Sequence, residues 1–187
     1  GMTTLICCLV ALLLLTVDQV TKLLAHAVNI HQGNYFLGIV RLSYTSNHGM
    51  AFSIGGNNPM FMTFVTILTV VMIIALAVLS FTVFAKNKPA RYALAVVISG
   101  AIGNLIDRAF LSDASGRFVR DFIDVSRLGF GICNVADFCI TFGAVALIFI
   151  VMFIGKHAVF PLTKKWRAEA KADEETREEK KKEKLKK

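Results

Sequence analysis

The stretch Met60–Ala85, MFMTFVTILTVVMIIALAVLSFTVFA, runs for 26 residues without a charge. A bilayer-crossing helix needs about 20 mostly apolar residues, so this stretch reads as a membrane span and decides the fold class. Three further spans emerge on working outward from it. Tyr92–Ile106 offers 15 residues and stops at Asp107-Arg108, which places its polar end near the interface. Phe138–Gly155 offers 18 and ends at Lys156. Leu5–Val17 is apolar apart from Thr16 and continues past Asp18 and Lys22 to Leu24. The expectation is an all-α integral membrane protein with four spans, at about 5–24, 60–85, 92–106 and 138–155. A signal peptide is the alternative for the first span, with Ala25-His26-Ala27 as its cleavage site. The lack of Lys or Arg before the run argues against it, as do Asp18 and Lys22 standing between run and site.

Composition agrees with the spans. Of 187 residues, 55% are hydrophobic and 18% charged, whereas soluble domains average about 45–50% and about 25%. The charges are also uneven. Residues 164–187 hold 11 of the 21 Lys and Arg and 7 of the 13 acids. The body, 1–163, keeps six acids, all Asp: Asp18, Asp107, Asp113, Asp121, Asp124 and Asp137. It reads as one membrane domain, followed by a charged tail over 164–187 that is a solvated helix or an extension. The tail's acids dilute its positive charge, so no nucleic-acid partner is expected; its basic start suits anionic membrane lipid.

Short loops rich in Lys and Arg stay in the cytoplasm. Lys86, Lys88 and Arg91 lie between the second and third spans, and Lys156, Lys164, Lys165 and Arg167 follow the fourth. Both segments, and by parity both termini, are expected to be cytoplasmic. The loops 28–58 and 107–133 then face outward. In the first, Val40, Leu42 and Tyr44 alternate with Arg41, Ser43 and Thr45, the period of a half-buried strand. A small extracytoplasmic β element is expected within 28–58, punctuated by Gly33, Gly38, Gly49, Gly55 and Gly56.

This topology brings polar groups from separate stretches to one side of the membrane: Asp18 and Lys22, Asn47 and Gly49, Asn104, Asp107 and Arg108, Asp121 and Asp124, Asn134 and Asp137. Ionisable groups at membrane depth are costly and suggest function by default. Each also has a plain structural role open to it. Asp18 and Lys22, four apart on a helix, suit an ion pair. Asn134 suits a helix N-cap with Asp137 in the first turn. Asp121 and Asp124 suit a solvated loop. Those roles do not explain why the acids gather at one face.

The four His, at 26, 31, 48 and 157, are scattered and form no zinc motif. There is no Gly-x-Ser-x-Gly elbow. Cys133 and Cys139 are six apart, which matches no metal motif. No metal or cofactor is expected. What remains is carboxylates. Two Asp in contact cannot both ionise cheaply, so one keeps its proton and the pair offers a base and an acid. That suits water activation and amide hydrolysis. A small proton-coupled transporter or channel is the alternative, but it would favour charges near mid-membrane. A scaffold with structural ion pairs alone is a third reading.

Five motifs stand in order: Asp18-Gln19-Val20-Thr21-Lys22, Asn47-His48-Gly49-Met50-Ala51-Phe52, Gly103-Asn104-Leu105-Ile106-Asp107-Arg108, Val119-Arg120-Asp121-Phe122-Ile123-Asp124 and Asn134-Val135-Ala136-Asp137. Together, over about residues 5–155, they resemble the lipoprotein signal peptidases (signal peptidase II). The resemblance implies an aspartyl endopeptidase of the bacterial plasma membrane, the inner membrane where there are two. Its substrates would be lipid-modified prolipoproteins, cut before the diacylglyceryl-modified Cys, and globomycin-type cyclic peptides would inhibit it. The catalytic pair would fall on Asp121 and Asp137, near the outer face. Asn104, Asp107, Arg108 and Asn134 would hold the pair and the substrate backbone, with Asn47 and Gly49 in a loop over the groove. Two features depart from the family pattern: an apparent insertion at Ser112–Gly116, and Cys133 where Phe is common.

Overall fold

The computed structural model describes residues 1–28, 35–49, 58–155 and 158–185. Gly33, Gly55, Gly56, His31, His157, Lys156 and the Met50-Ala51-Phe52 part of the second motif lie outside the described residues.

Among these residues four helices are long and apolar enough to span a bilayer. They are α1 (Met2–Val28), α2 (Pro59–Phe81), α3 (Lys88–Phe110) and α4 (Val135–Phe153). The expected spans are all present, with shifted ends. Caps explain two of the shifts. Asn58 accepts from the Met60 and Phe61 amides ahead of Pro59, and Asn87 accepts from the Ala90 amide ahead of Pro89. An N-cap Asn and an early Pro both favour a helix start. The third helix therefore begins before Tyr92. It also runs past Asp107-Arg108 to Phe110, because the Asp107 carboxylate is neutralised inside the protein rather than at a helix end.

The chain divides into two compact units, 1–144 and 145–187. In the first, α3 packs against both α1 and α2. Half of its most apolar 18-residue window is buried, against 6% in α1 and 11% in α2, which makes α3 the central helix. Gly103 permits the approach of α1 and Gly100 that of the first turns of α4. A Cβ on Gly103 would stand 2.5 Å from the Asp18 carboxylate, and one on Gly100 would stand 2.4 Å from the Ala136 carbonyl. The second unit holds the later turns of α4 and a fifth helix, α5 (Lys164–Leu185). The charged tail is thus helical, as its Lys, Glu and Ala content favours.

The β element is larger than the alternation predicts. Strand β1 (Arg41–Asn47) is one edge of an antiparallel sheet ordered β1-β4-β5, with β4 at Val119–Asp124 and β5 at Ile132–Cys133. Asn47 lies opposite Val119, Thr45 opposite Asp121 and Arg41 opposite Asp124, with an irregularity between Leu42 and Thr45. A separate hairpin, β2 (Ser112–Asp113) and β3 (Gly116–Arg117), occupies the apparent insertion. The sheet delivers Asn47 and Asp121 toward the polar ends of α1, α3 and α4.

Candidate active site

Lys22 is fully buried at the centre of a polar network. Its Nζ lies 2.8 Å from Asp18 Oδ2, 3.6 Å from Asp107 Oδ2 and 3.0 Å from Asn104 Oδ1. A buried charge is tolerated only when paired and hydrogen-bonded, and here the ammonium has partners on two helices. Its other effect is on Asn104. An ammonium only donates, so the amide must present its oxygen to Lys22. The Asn104 Nδ2 is thereby aimed at Asp137, donating to Oδ1 over 2.8 Å.

Asp137 lies in the first turn of α4 and makes a reciprocal cap with Asn134. Its amide donates to Asn134 Oδ1 and its Oδ2 accepts from the Asn134 amide, both over 3.1 Å. This is a capping-box arrangement. Asp18 completes the helix start by accepting from the Ala136 amide over 2.9 Å. The helix-start role is therefore real, and the same residues also reach the second carboxylate. Asn134 Nδ2 donates to Asp121 Oδ1 over 2.6 Å and to Asn104 Oδ1 over 3.1 Å. Asn47 Nδ2 donates to Asp121 Oδ2 over 2.8 Å, while its own Oδ1 accepts from the Gly49 amide. Asn134 and Asn104 thus join Asp121 and Asp137 through hydrogen bonds.

Asp121 is 2% exposed. Burial, and after it the negative charge of Asp137, push its carboxyl up to about 7, against the pull of the Asn47 and Asn134 hydrogen bonds. A carboxyl raised this far can hold a proton near neutrality beside an ionised partner.

The other acids are occupied. Asp107 takes the Arg120 guanidinium in two places, with Nη2 2.6 Å from Oδ1 and Nε 3.1 Å from Oδ2, and accepts the Arg120 amide over 2.9 Å. It ties β4 to α3 one residue before Asp121. Gln19 adds to this tie by accepting from Arg120 and donating to the Gly103 carbonyl. Sequence reasoning gave neither Gln19 nor Arg120 a role. Strand geometry accounts for Arg120, since successive residues face opposite sides and Arg120 turns toward α3 when Asp121 turns away. Asp124 pairs with Arg41 over 2.5 Å and caps the turn through the Ser126 hydroxyl and amide. Burial would raise it, but Ser126 and Arg41 outweigh that and hold it at about 2. Arg108 stands within electrostatic reach of Asp137, Asp121 and Asp107, and its buried Nε has no hydrogen-bond partner among the described residues.

Burial first, then the charges of Asp137, Asp121 and Asp124, push the Cys133 thiol up to about 12. It is no thiolate nucleophile at neutral pH. Among the described residues no group of three or more His, Cys, Asp or Glu could hold a metal ion. The arrangement offers a carboxyl pair with amide donors around it and a vacant guanidinium N–H beside it.

Comparison with known proteins gives the family. Residues 10–153 match the family model described as signal peptidase (SPase) II. A lipoprotein signal peptidase of Caldanaerobacter subterraneus subsp. tengcongensis is 34% identical over 140 residues, 74% of this chain and 90% of that one. One from Brevibacillus brevis is 35% identical over 151 residues, 79% and 95% of the two chains. A bacterial membrane enzyme solved by the in meso method at 2.3 Å is similar in structure, with a TM-score of 0.63 and 30% identity over 76% of this chain and 85% of that one.

Proposed function

This chain belongs to the signal peptidase II family, and on that premise we propose that it cleaves by an aspartate pair, Asp121 and Asp137. It is a membrane-spanning protease that removes signal peptides from prolipoproteins. The transporter alternative is not favoured. The observation that carries the aspartyl reading is the joining of two carboxylates, buried Asp121 and half-buried Asp137, through Asn104 and Asn134, with Asp121 raised to about 7.

In the proposed reaction the ionised member, Asp137, takes a proton from water as the water oxygen attacks the scissile carbonyl. Protonated Asp121 donates to the developing oxyanion; on collapse Asp137 passes its proton to the leaving amine nitrogen and Asp121 takes one back from the gem-diol, which restores the pair. Asn104 and Asn134 hold the two carboxyls. The vacant Arg108 Nε is the donor for a substrate carbonyl. Scission falls before the diacylglyceryl-modified Cys, and globomycin-type peptides compete for the same groove. The reading includes an active site near the outer face of the bacterial inner membrane, because the substrate is itself held there by its lipid and signal helix. Both termini are cytoplasmic in this reading. The domain comprises residues 1–163, with 164–187 as an appended tail.

The test is turnover of a lipid-modified prolipoprotein beside thermal stability in detergent. Asp121→Asn and Asp137→Asn each lose about 10²–10⁴-fold or more, as expected for a general acid–base group. Asp137→Asn still offers an acceptor oxygen to the Asn134 amide, so the helix start is kept. Asp124→Asn retains far more activity, since Asp124 is engaged by Arg41 and Ser126. Cleavage by a normally melting Asp137→Asn variant at more than about a tenth of the wild-type rate, outside the acid–base range, leaves Asp137 as a helix cap alone.

A further inference from the structure

The β2–β3 hairpin stands between α3, which carries Asn104 and Asp107, and β4, which carries Asp121. It is firmly mounted. The Asp113 Oδ1 accepts from the Ser115 amide over 2.8 Å, closing the turn, and Gly116 adopts φ +118°. Arg117 Nη1 donates to the Arg108 and Ala109 carbonyls, over 2.8 Å each, at the end of α3. The Asp113 carboxylate is therefore a fixed point relative to the site.

What it holds is His48. The His48 Nε2 lies 2.9 Å from both Asp113 oxygens, and the ring stands 5.7 Å from that of Phe118. Its chain neighbours are Asn47, which donates to Asp121, and Gly49, whose amide fixes the Asn47 oxygen. The residue tied to the hairpin is thus the middle one of the three that place a donor on Asp121. We propose that Asp113 and His48 form a latch that positions Asn47 against Asp121, so that the hairpin tunes the catalytic pair from outside it. The latch rests on the aspartate-pair reading above.

Magnitude separates this role from a stabilising one. Asp113 and His48 are 41% and 22% exposed at the side chain, and a polar contact this exposed contributes little to stability. Their removal leaves the fold in place. A donor that drifts from a buried carboxylate has a larger local effect. The Asn47 hydrogen bond draws the Asp121 carboxyl down, so loosening it lets that carboxyl rise.

The experiment is a double-mutant cycle of Asp113→Ala and His48→Ala, with Asp121→Asn as a reference, read as kcat against pH on a diacylglyceryl-modified prolipoprotein peptide. Each single variant is expected to lose about three- to thirtyfold in kcat, within the coupling range of residues in contact. The double variant loses no more than either single. The alkaline limb of the profile moves to higher pH in all three, and melting changes little. Additive losses, or an unmoved alkaline limb with Asp121→Asn inactive, overturn the latch and leave the pair intact. Near wild-type cleavage by Asp121→Asn overturns the pair, and the latch with it.

Discussion

An asparagine amide has one accepting and one donating end, and at Asn104 the Lys22 ammonium fixes which is which. Asn134 is fixed in the same way, because Asp121 Oδ1 accepts from its Nδ2 while its Oδ1 accepts from the Asp137 amide. Neither amide can flip without setting like against like. The two carboxyls therefore sit in a preset field of donors, and on the aspartate-pair reading their remaining freedom is the proton. Two interacting carboxyls titrate as a pair. With Asp121 placed at about 7, the upper apparent value of the pair falls there. Below it Asp121 keeps its proton; above it the acid is lost. Activity should thus decline above about pH 7, approaching tenfold per unit, as for loss of one essential proton. A kcat profile over neutral and mildly alkaline pH reads this directly, and a flat profile through that range removes Asp121 as the acid.

At the scale of elements the close approach of α1 and α3 sets how tightly the network can close. Gly103→Ala poses two opposed effects. Ala favours a helix interior by about 1 kcal/mol over Gly. Against this, its Cβ would stand 2.5 Å from Asp18 Oδ2, and that carboxylate is held by Lys22 and the Ala136 amide. It cannot give way without exposing a buried charge. Overpacking costs about 1–3 kcal/mol, so the net expectation is a lower melting temperature. Gly131→Ala, where nothing lies within 4 Å of the new Cβ, is the matched control. Equal melting of the two variants would mean that α1 and α3 can separate freely. The four spans were legible because a span is a local property of about 20 residues. Strand β1 was legible through its alternation. Strand β4 was not: Val119–Asp124 mixes apolar and charged residues, and all but Ile123 are buried, so no alternation survives. Its place depends on pairing with β1, distant in sequence, and on the Asp107–Arg120 tie. Topology gathered the acids at one face, but only the family resemblance sorted them, since sorting by physical reasoning depends on such distant partners. Asp18, for example, meets the Ala136 amide 118 residues away.

A polar network lies at one end of the spans, and the direction of that end in the membrane is a separate physical question. Nothing in the packing of α1, α2 and α3 distinguishes inside from outside; only the charges of the loops do. Lys86 lies between α2 and α3, and Lys88 and Arg91 lie in the first turn of α3, with no acid among them, at the end of α3 opposite Asn104 and Asp107. Lys and Arg in short loops oppose translocation, whereas Asp and Glu contribute little. The loop at 82–87 should therefore be cytoplasmic and the β2–β3 hairpin outside. Single cysteines test this in a background from which Cys7, Cys8, Cys133 and Cys139 have been replaced. Ser115 is an exposed position on the hairpin turn, and Lys86 an exposed one on the opposite loop. An impermeant thiol reagent on intact cells should label Ser115→Cys readily and Lys86→Cys only after permeabilisation. The reverse pattern would put the aspartate pair on the cytoplasmic side. A uniform pattern, with both labelled from outside, would mean that the loop charges do not orient this chain. Labelling as expected places the pair at the face where a prolipoprotein, anchored by its own lipid, presents its signal peptide for cleavage.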